Sequence, residues 1–290
     1  MSADRRPQRT AIITGGASGI GAALAEALGR RGVALWLADR QGALAEDLAA
    51  RTRATGGVAT AVELDVRDAD AFRGVVEEVI GHAGRLDYLF NNAGIAITGE
   101  ASEHSAADWT NIVDVNLRGV ANGIQAAYPV MIRQRFGHIV NTASMAGLIP
   151  MPMQIGYSAT KFAVVALSRV LRMEAKLHGV QVTVVCPGAV RTPILYGGRY
   201  GRFTASLDER VLAPVVERLR PMDAAPLARR ILAGVERNRA VIVEPAWCRA
   251  LWYLARLSPA LADRVSALLL TQVRRHVAAR EPADLPKQPS

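Results

Sequence analysis

Cysteine is nearly absent: 290 residues hold only Cys186 and Cys248. Two cysteines fit neither a disulfide framework nor the spacing of a metal site, so no bound metal and a reducing compartment are expected. No run of about 18 uncharged apolar residues occurs, which excludes a helix of spanning length. The opening Met1-Ser-Ala-Asp-Arg-Arg-Pro7 is polar and lacks the apolar stretch of a secretory signal. These absences predict a soluble cytoplasmic protein. No internal repeat is present. Lysine is scarce as well: Lys161, Lys176 and Lys287 stand alone among 35 basic residues, the rest being arginines.

Half of the residues are hydrophobic and 21% are charged, enough for a large core and against wholesale disorder. The length suits one α/β domain with an appendage. The net charge of +9 is unevenly spread. Residues 1–198 hold 19 Lys+Arg against 17 Asp+Glu, and residues 199–290 hold 16 against 9. The excess belongs to the last third, either as codon bias or as a functional basic patch.

Short apolar runs alternate with helical patterns. Thr10–Thr14, Ala34–Ala38, Val58–Val66, Leu86–Phe90, His138–Ala143, Val182–Cys186 and Val241–Val243 read as strands. Helices are expected between them, through Ile20, Leu24 and Leu28, through Leu44 and Leu48, through Phe72, Val75 and Val79, and over Gly156–His178. Runs buried on both faces and separated by helices predict an α/β fold, a doubly wound parallel sheet flanked by helices. One domain over residues 1–244 is expected, with an irregular lid near 196–220. Residues 245–282 read as a helical extension, its second helix starting at Ser258-Pro259, and residues 283–290 as a disordered tail. The apolar stripe of the first extension helix is Trp247, Leu251, Leu254 and Leu257. That of the second is Leu261, Val265, Leu268, Leu269 and Val273, with Arg264, Arg274 and Arg275 elsewhere.

Thr14-Gly-Gly-Ala-Ser-Gly-Ile-Gly21 lies between the first strand and the first helix. Glycine lets backbone approach a pyrophosphate, and the helix start points free N–H groups and partial positive charge at it. A tight strand-to-helix turn is the bland alternative. Asp39 ends the second strand, where a carboxylate can bind ribose hydroxyls and repel a 2′-phosphate; otherwise it is a helix N-cap. The adjacent Arg40 could pair with a 2′-phosphate. NAD is favoured, with NADP the alternative.

Tyr157-Ser-Ala-Thr-Lys161 opens a long helical pattern, and residues four apart share a face. An unperturbed phenol, with a pKa of about 10, is a weak base near neutrality, and a nearby cation favours the phenolate. A Tyr-x-x-x-Lys pair arises by chance roughly 0.06 times in this composition. Ser144, thirteen residues upstream at a strand end, could hold a substrate oxygen against the phenol, or be only a turn residue. Asn116 by itself reads as a helix-boundary asparagine.

Thr14-Gly-x-x-x-Gly19-x-Gly21, Asn91-Asn-Ala-Gly94, Asn116, Ser144, Tyr157-x-x-x-Lys161 and Pro187-Gly188 stand in an order that resembles the short-chain dehydrogenase/reductase family over residues 8–243. The resemblance implies a Rossmann-type fold and an NAD(P)-dependent oxidoreductase. It implies Tyr157 as acid/base, Ser144 orienting and polarising the substrate carbonyl, Lys161 holding the nicotinamide ribose and lowering the tyrosine pKa, and Asn116 completing a proton relay through water. On the cofactor side it implies Gly15, Ser18, Gly19, Ile20, Gly21, Asp39, Arg40, Asp65 near the adenine, and Val66. Asn92, Ala93 and Gly94 follow, Asn91 and Gly94 steadying the central sheet, with Pro187, Gly188, Val190, and Thr192 at the carboxamide. Val115 is a weaker carry-over. It further implies a homodimer or homotetramer. The extension past residue 245 departs from the family's usual length.

Ile95, Met145, Leu148, Met151, Met153, Ile155, Ile194 and Leu195 are expected near a substrate, either forming an apolar pocket or merely packing the core. The first alternative predicts a lipophilic alcohol or ketone. The extension packs on the domain or on a sister subunit, or makes peripheral contact with an anionic membrane. Nucleic acid is not expected, since its arginines are diluted by apolar residues. The competing functional class is a non-catalytic dinucleotide sensor or membrane-surface interaction protein on the same fold; the intact tetrad argues for the enzyme.

Overall fold

The computed structural model describes residues 8–197, 200–204, 207, 216–217 and 220–278. Within the last helix, side chains 265, 269, 272–273 and 275–278 lie outside that description. So do the expected tail, most of the expected lid, and the expected apolar contributions of Val265, Leu269 and Val273.

Strand and helix alternate from the start: β1 Thr10–Thr14, α1 Gly19–Gly29, β2 Ala34–Asp39, α2 Gly42–Ala54, β3 Ala59–Glu63, α3 Ala69–Ala83 and β4 Tyr88–Asn91. A short β5, Ala96–Thr98, leads to α4 Ala106–Val113 and α5 Gly119–Gln134. Next come β6 His138–Thr142, α6 Ile155–Ala175, β7 Gln181–Pro187, β8 Val190–Arg191 and β9 Gly201–Phe203. The chain continues through β10 Met222–Asp223, α7 Ala224–Glu236, β11 Val241–Glu244, α8 Ala246–Leu257 and α9 Pro259–Ala278.

Seven strands form one sheet in the order β3-β2-β1-β4-β6-β7-β11, every pairing parallel. The third expected strand stops at Glu63, which leaves Leu64-Asp-Val66 free to enter a loop. Alternate strand residues serve opposite faces. Ile13, Leu35, Leu37 and Phe90 pack with Leu24 and Leu28 of α1, Leu48 of α2, and Leu227 and Ile231 of α7. Ile12, Trp36, Leu89 and Ile139 pack with Phe72, Val75 and Val79 of α3, Met131 of α5 and Leu171 of α6. Both faces are thus covered, which explains why these strands read as continuous apolar runs.

Strand order reverses between β1 and β4, so their loops diverge and open a crevice at the carboxyl edge. Two small parallel pairs, β5 with β9 and β8 with β10, lie outside the main sheet. The first ties part of the expected lid to the chain after β4: Ala96 N–H donates to the Tyr200 carbonyl at 3.0 Å. Helix α8 joins a third core, with Cys248, Trp252 and Ala255 against Val184, Cys186 and Val243.

Candidate active site

The loop after β1 is held by its neighbour after β4. Thr14 Oγ1 accepts from Asn92 N at 3.0 Å and Ala93 N at 3.1 Å, and Asn92 Nδ2 donates to the Thr14 carbonyl at 3.2 Å. Gly15 has φ +61° and Gly19 has φ +52°, the left-handed region that favours glycine. A Cβ on Gly15 would also come within 3.0 Å of the Ala93 backbone. Gly21 acts differently from the expectation. It does not line the cleft; a Cβ there would sit 2.0 Å from the Gly15 carbonyl oxygen, so it lets the first turn of α1 pack under the loop. Ser18 and Ile20 remain at the cleft surface beside the free amides of α1.

Asp39 is buried at the end of β2, its carboxylate accepting from Ala17 N at 3.1 Å and Gln41 N at 3.0 Å. Gln41, not Asp39, occupies the N-cap of α2. Arg40 is exposed at the rim. Asp65 is gripped by the Arg67 guanidinium, Nε lying 2.9 and 3.0 Å from its oxygens, which holds its carboxyl below the usual range.

The opposite half rests on α6 and on a π-helical turn, Asp114–Arg118, between α4 and α5. That turn, with Gly119 N–H donating to the Asp114 carbonyl, swings Asn116 into the interior. The Asn116 carboxamide clamps Ile95: Oδ1 accepts from its N–H at 2.8 Å and Nδ2 donates to its carbonyl at 2.9 Å. Nδ2 also reaches Thr160 Oγ1 at 3.3 Å. Asn116 therefore lies behind the cleft wall rather than in it. Asn91 is likewise buried in the sheet, donating to Asn141 Oδ1 at 2.9 Å. A Cβ on Gly94 would lie 3.2 Å from Asn116 Oδ1 and 3.4 Å from Lys161 Nζ, so only a bare backbone fits comfortably there.

Lys161 is buried, its Nζ donating to the Thr142 carbonyl at 2.9 Å and lying 5.5 Å from the Tyr157 ring centre. Burial pushes this ammonium down to about 8. Ser144 caps the short turn Met145–Gly147 by accepting from Ala146 N at 3.1 Å, and its hydroxyl is hydrogen-bonded to the Tyr157 phenol. The expected lowering of the Tyr157 pKa by Lys161 is not what the surroundings produce. Burial raises the phenol above its ordinary value, the Ser144 hydrogen bond opposes this, and the nearby Cys186 raises it further. Burial also pushes the Cys186 thiol up to about 12, so it stays protonated.

Most of these groups face one cleft of about 710 Å³. Gly15, Ser18, Gly19, Ile20, Asp39, Arg40, Asp65, Val66, Asn92, Ala93, Gly94, Val115, Ser144, Tyr157, Lys161, Pro187, Gly188, Val190 and Thr192 line it; of the expected catalytic and cofactor residues, Gly21 and Asn116 do not. Ile95, Met145, Met151, Met153, Ile194 and Leu195 line the far end, whereas Leu148 packs in the core and Ile155 is exposed on α6. The far wall contains residues that sequence reasoning did not place there: Trp247, Cys248, Leu251 and Leu254 of α8, and Leu261, Ala262, Ser266 and Leu270 of α9. Their helical periodicity was visible, but not the surface they would meet. Arg274 fastens α9 across this end, donating to both Glu100 oxygens at 2.8 and 2.7 Å.

Residues 9–198 match the short chain dehydrogenase family. The chain belongs to that family. SadH of Mycobacterium tuberculosis, an oxidoreductase by name, is 34% identical over 89% of this chain and 94% of its own. Among solved structures, a short chain dehydrogenase/reductase from Burkholderia phymatum in complex with NAD superposes with a TM-score of 0.78 at 28% identity, over 88% of this chain and 95% of that one. A short-chain dehydrogenase from Sphingobium yanoikuyae in complex with NADPH gives 0.72 at 28%, over 96% and 98%. The chain is an NAD(P)-dependent dehydrogenase/reductase with a Rossmann-type sheet. The left-handed Gly15 and Gly19, the free amides of α1 and the buried Asp39 form a cradle that fits the dinucleotide.

Proposed function

We propose that this dehydrogenase interconverts a lipophilic secondary alcohol and its ketone, with Tyr157 as acid/base. One observation carries the substrate class: among the described residues lining the cleft, the charged ones are Asp39, Arg40 and Asp65 at the nucleotide end and Lys161 beside Tyr157. The rest of the substrate end is built from Ile95, the methionines, Ile194, Leu195 and the C-terminal helices. Apart from Lys161, such a wall offers a substrate carboxylate only uncharged polar groups such as Thr98 and Gln154, and burying a carboxylate without a counter-charge is costly.

The nicotinamide, when bound, gives or takes the hydride. Tyr157 holds the matching proton at its phenolic oxygen. Its raised pKa keeps it protonated near neutrality, which suits donation to the oxygen of a carbonyl under reduction. Ser144 presents a second hydroxyl to the same oxygen. Lys161 holds the nicotinamide ribose. Asn116 is a positioning residue: its carboxamide is occupied by Ile95 and Thr160, so a relay through it runs from its backbone. Asp39 favours NAD, since its carboxylate repels a 2′-phosphate; NADP is the alternative, through Arg40.

Assembly and location belong to the same proposal. The catalytic helix α6 carries an exposed stripe at helical spacing, Ile155, Phe162, Val170 and Met173, which suits a second copy of the chain. The C-terminal helices suit peripheral contact with a lipid surface. Nicotinamide absorbance with a substrate panel tests the substrate class. Hydrophobic secondary alcohols should exceed small hydroxy acids in kcat/KM by at least about tenfold, or ~1.4 kcal/mol. A preference for the charged acids contradicts the proposal.

A further inference from the structure

Helix α8 is apolar on two sides. Cys248, Trp252 and Ala255 turn inward to the core against β7 and β11. On its other side, at helical spacing, stand Trp247, Leu251, Leu254 and Leu257, all exposed, Leu257 by 83%. A helix with only one apolar neighbour carries polar residues on its outer face. Helix α9 repeats the pattern: Ala262, Ser266 and Leu270 face the cleft, while Leu261 and Leu268 are exposed, Leu268 by 65%. Trp247, Leu251, Leu254 and Leu261 do both, lining the cleft and meeting solvent. The apolar surface therefore continues from the substrate end of the cleft to the outside of the molecule.

Charge says what this surface fits. Residues 245–278 hold five arginines and a single acid, Asp263. On α8, Arg249 and Arg256 stand on the opposite side of the helix from Trp247, Leu251 and Leu254, Arg256 lying 5.6 Å from the Trp252 ring centre. Arg264 stands beside Leu261 and Leu268 on α9, whereas Arg274 is committed to Glu100. An exposed apolar face with Arg264 at its edge, on a segment with this excess of arginine, matches the boundary between acyl chains and anionic headgroups. No helix among the described residues is long and apolar enough to cross a membrane, so contact would be interfacial. A second protein seated here would cover the mouth of the cleft; a bilayer leaves it open to the phase in which an apolar substrate dissolves.

We propose that the outer faces of α8 and α9 dock on an anionic lipid bilayer, with the cleft mouth turned to it so that substrate passes directly from lipid to the site. This rests on the lipophilic-substrate reading, and the experiment separates the two.

The full chain is sedimented with vesicles of phosphatidylcholine alone or with phosphatidylglycerol added. It is compared with the double variant Leu257→Glu/Leu268→Glu and with Arg264→Glu; none of these residues touches the catalytic groups. The wild type is expected to bind anionic vesicles at least tenfold more tightly than neutral ones, and each variant to lose at least tenfold. Turnover of a short water-soluble alcohol should be unchanged in Leu257→Glu/Leu268→Glu, while turnover of a vesicle-borne long-chain alcohol should fall with binding. Equal binding by wild type and variants, or none by the wild type, overturns the proposal. So does loss of a chain oligomer in the leucine variant without any vesicle binding, which makes the face a protein interface. If vesicles bind as expected but no lipophilic alcohol is turned over, docking stands and the substrate reading fails. If such alcohols are turned over from solution without vesicle binding, the substrate reading stands and docking fails.

Discussion

Lys161 and Tyr157 share one face of α6, and burial pushes both toward their uncharged forms. The spacing of four made the pair legible in the sequence; its electrostatics were not. A cation next to a phenol lowers the phenol's pKa in water-like surroundings, but here the site is dry and Lys161 is turned to the Thr142 carbonyl. The lysine has a measurable signature. Its folded value of about 8 lies below the unfolded 10.5, so between these the unfolded chain binds more protons and stability rises with pH. Below pH 8 both states are protonated and the cost of burying the ammonium is present in full. Denaturation midpoints should therefore show wild type gaining on Lys161→Met as pH climbs from 8 to 10.5. A gap constant across that window would show that Lys161 is not depressed.

At the scale of elements, seven of the eleven strands among the described residues were readable as apolar runs because the main sheet is covered on both faces. The pairs β5–β9 and β8–β10 were not, since strands of two or three residues carry no periodicity. Nor was the π turn that sends Asn116 inward, because one extra residue per turn leaves no compositional mark. The glycine loop was legible as a motif but not in its division of labour. Gly15 and Gly19 answer to backbone conformation, whereas Gly21 answers to the Gly15 carbonyl beneath it. Gly21→Ala should thus force the first turn of α1 away from β1, costing about 1–3 kcal/mol. A lower Tm together with weaker NAD binding, read by calorimetry, is the expected result; unchanged values for both would refute this role.

For the whole molecule, the periodicity of residues 245–278 predicted helices without telling what they cover. The answer depends on distant contacts: α8 meets β7 and β11, and α9 is fastened to Glu100, more than 170 residues away in the chain. These helices complete the substrate end of the cleft, which is why the site extends well beyond the motifs that made it recognisable. The stripe on α6 poses a separate question of assembly. Phe162→Glu places a charge in its middle and should convert an oligomer into smaller species by light scattering, with lower activity because α6 carries Tyr157. A wild type that is already monomeric, or a variant of unchanged mass, would contradict the interface. Tyr157 is proposed to move the proton that accompanies hydride transfer. Its most direct test is the rate of nicotinamide absorbance change for Tyr157→Phe against wild type with a competent hydrophobic alcohol. A fall of about 100- to 10,000-fold in kcat is expected, with cofactor binding retained; a variant that kept the full rate would contradict this role for Tyr157.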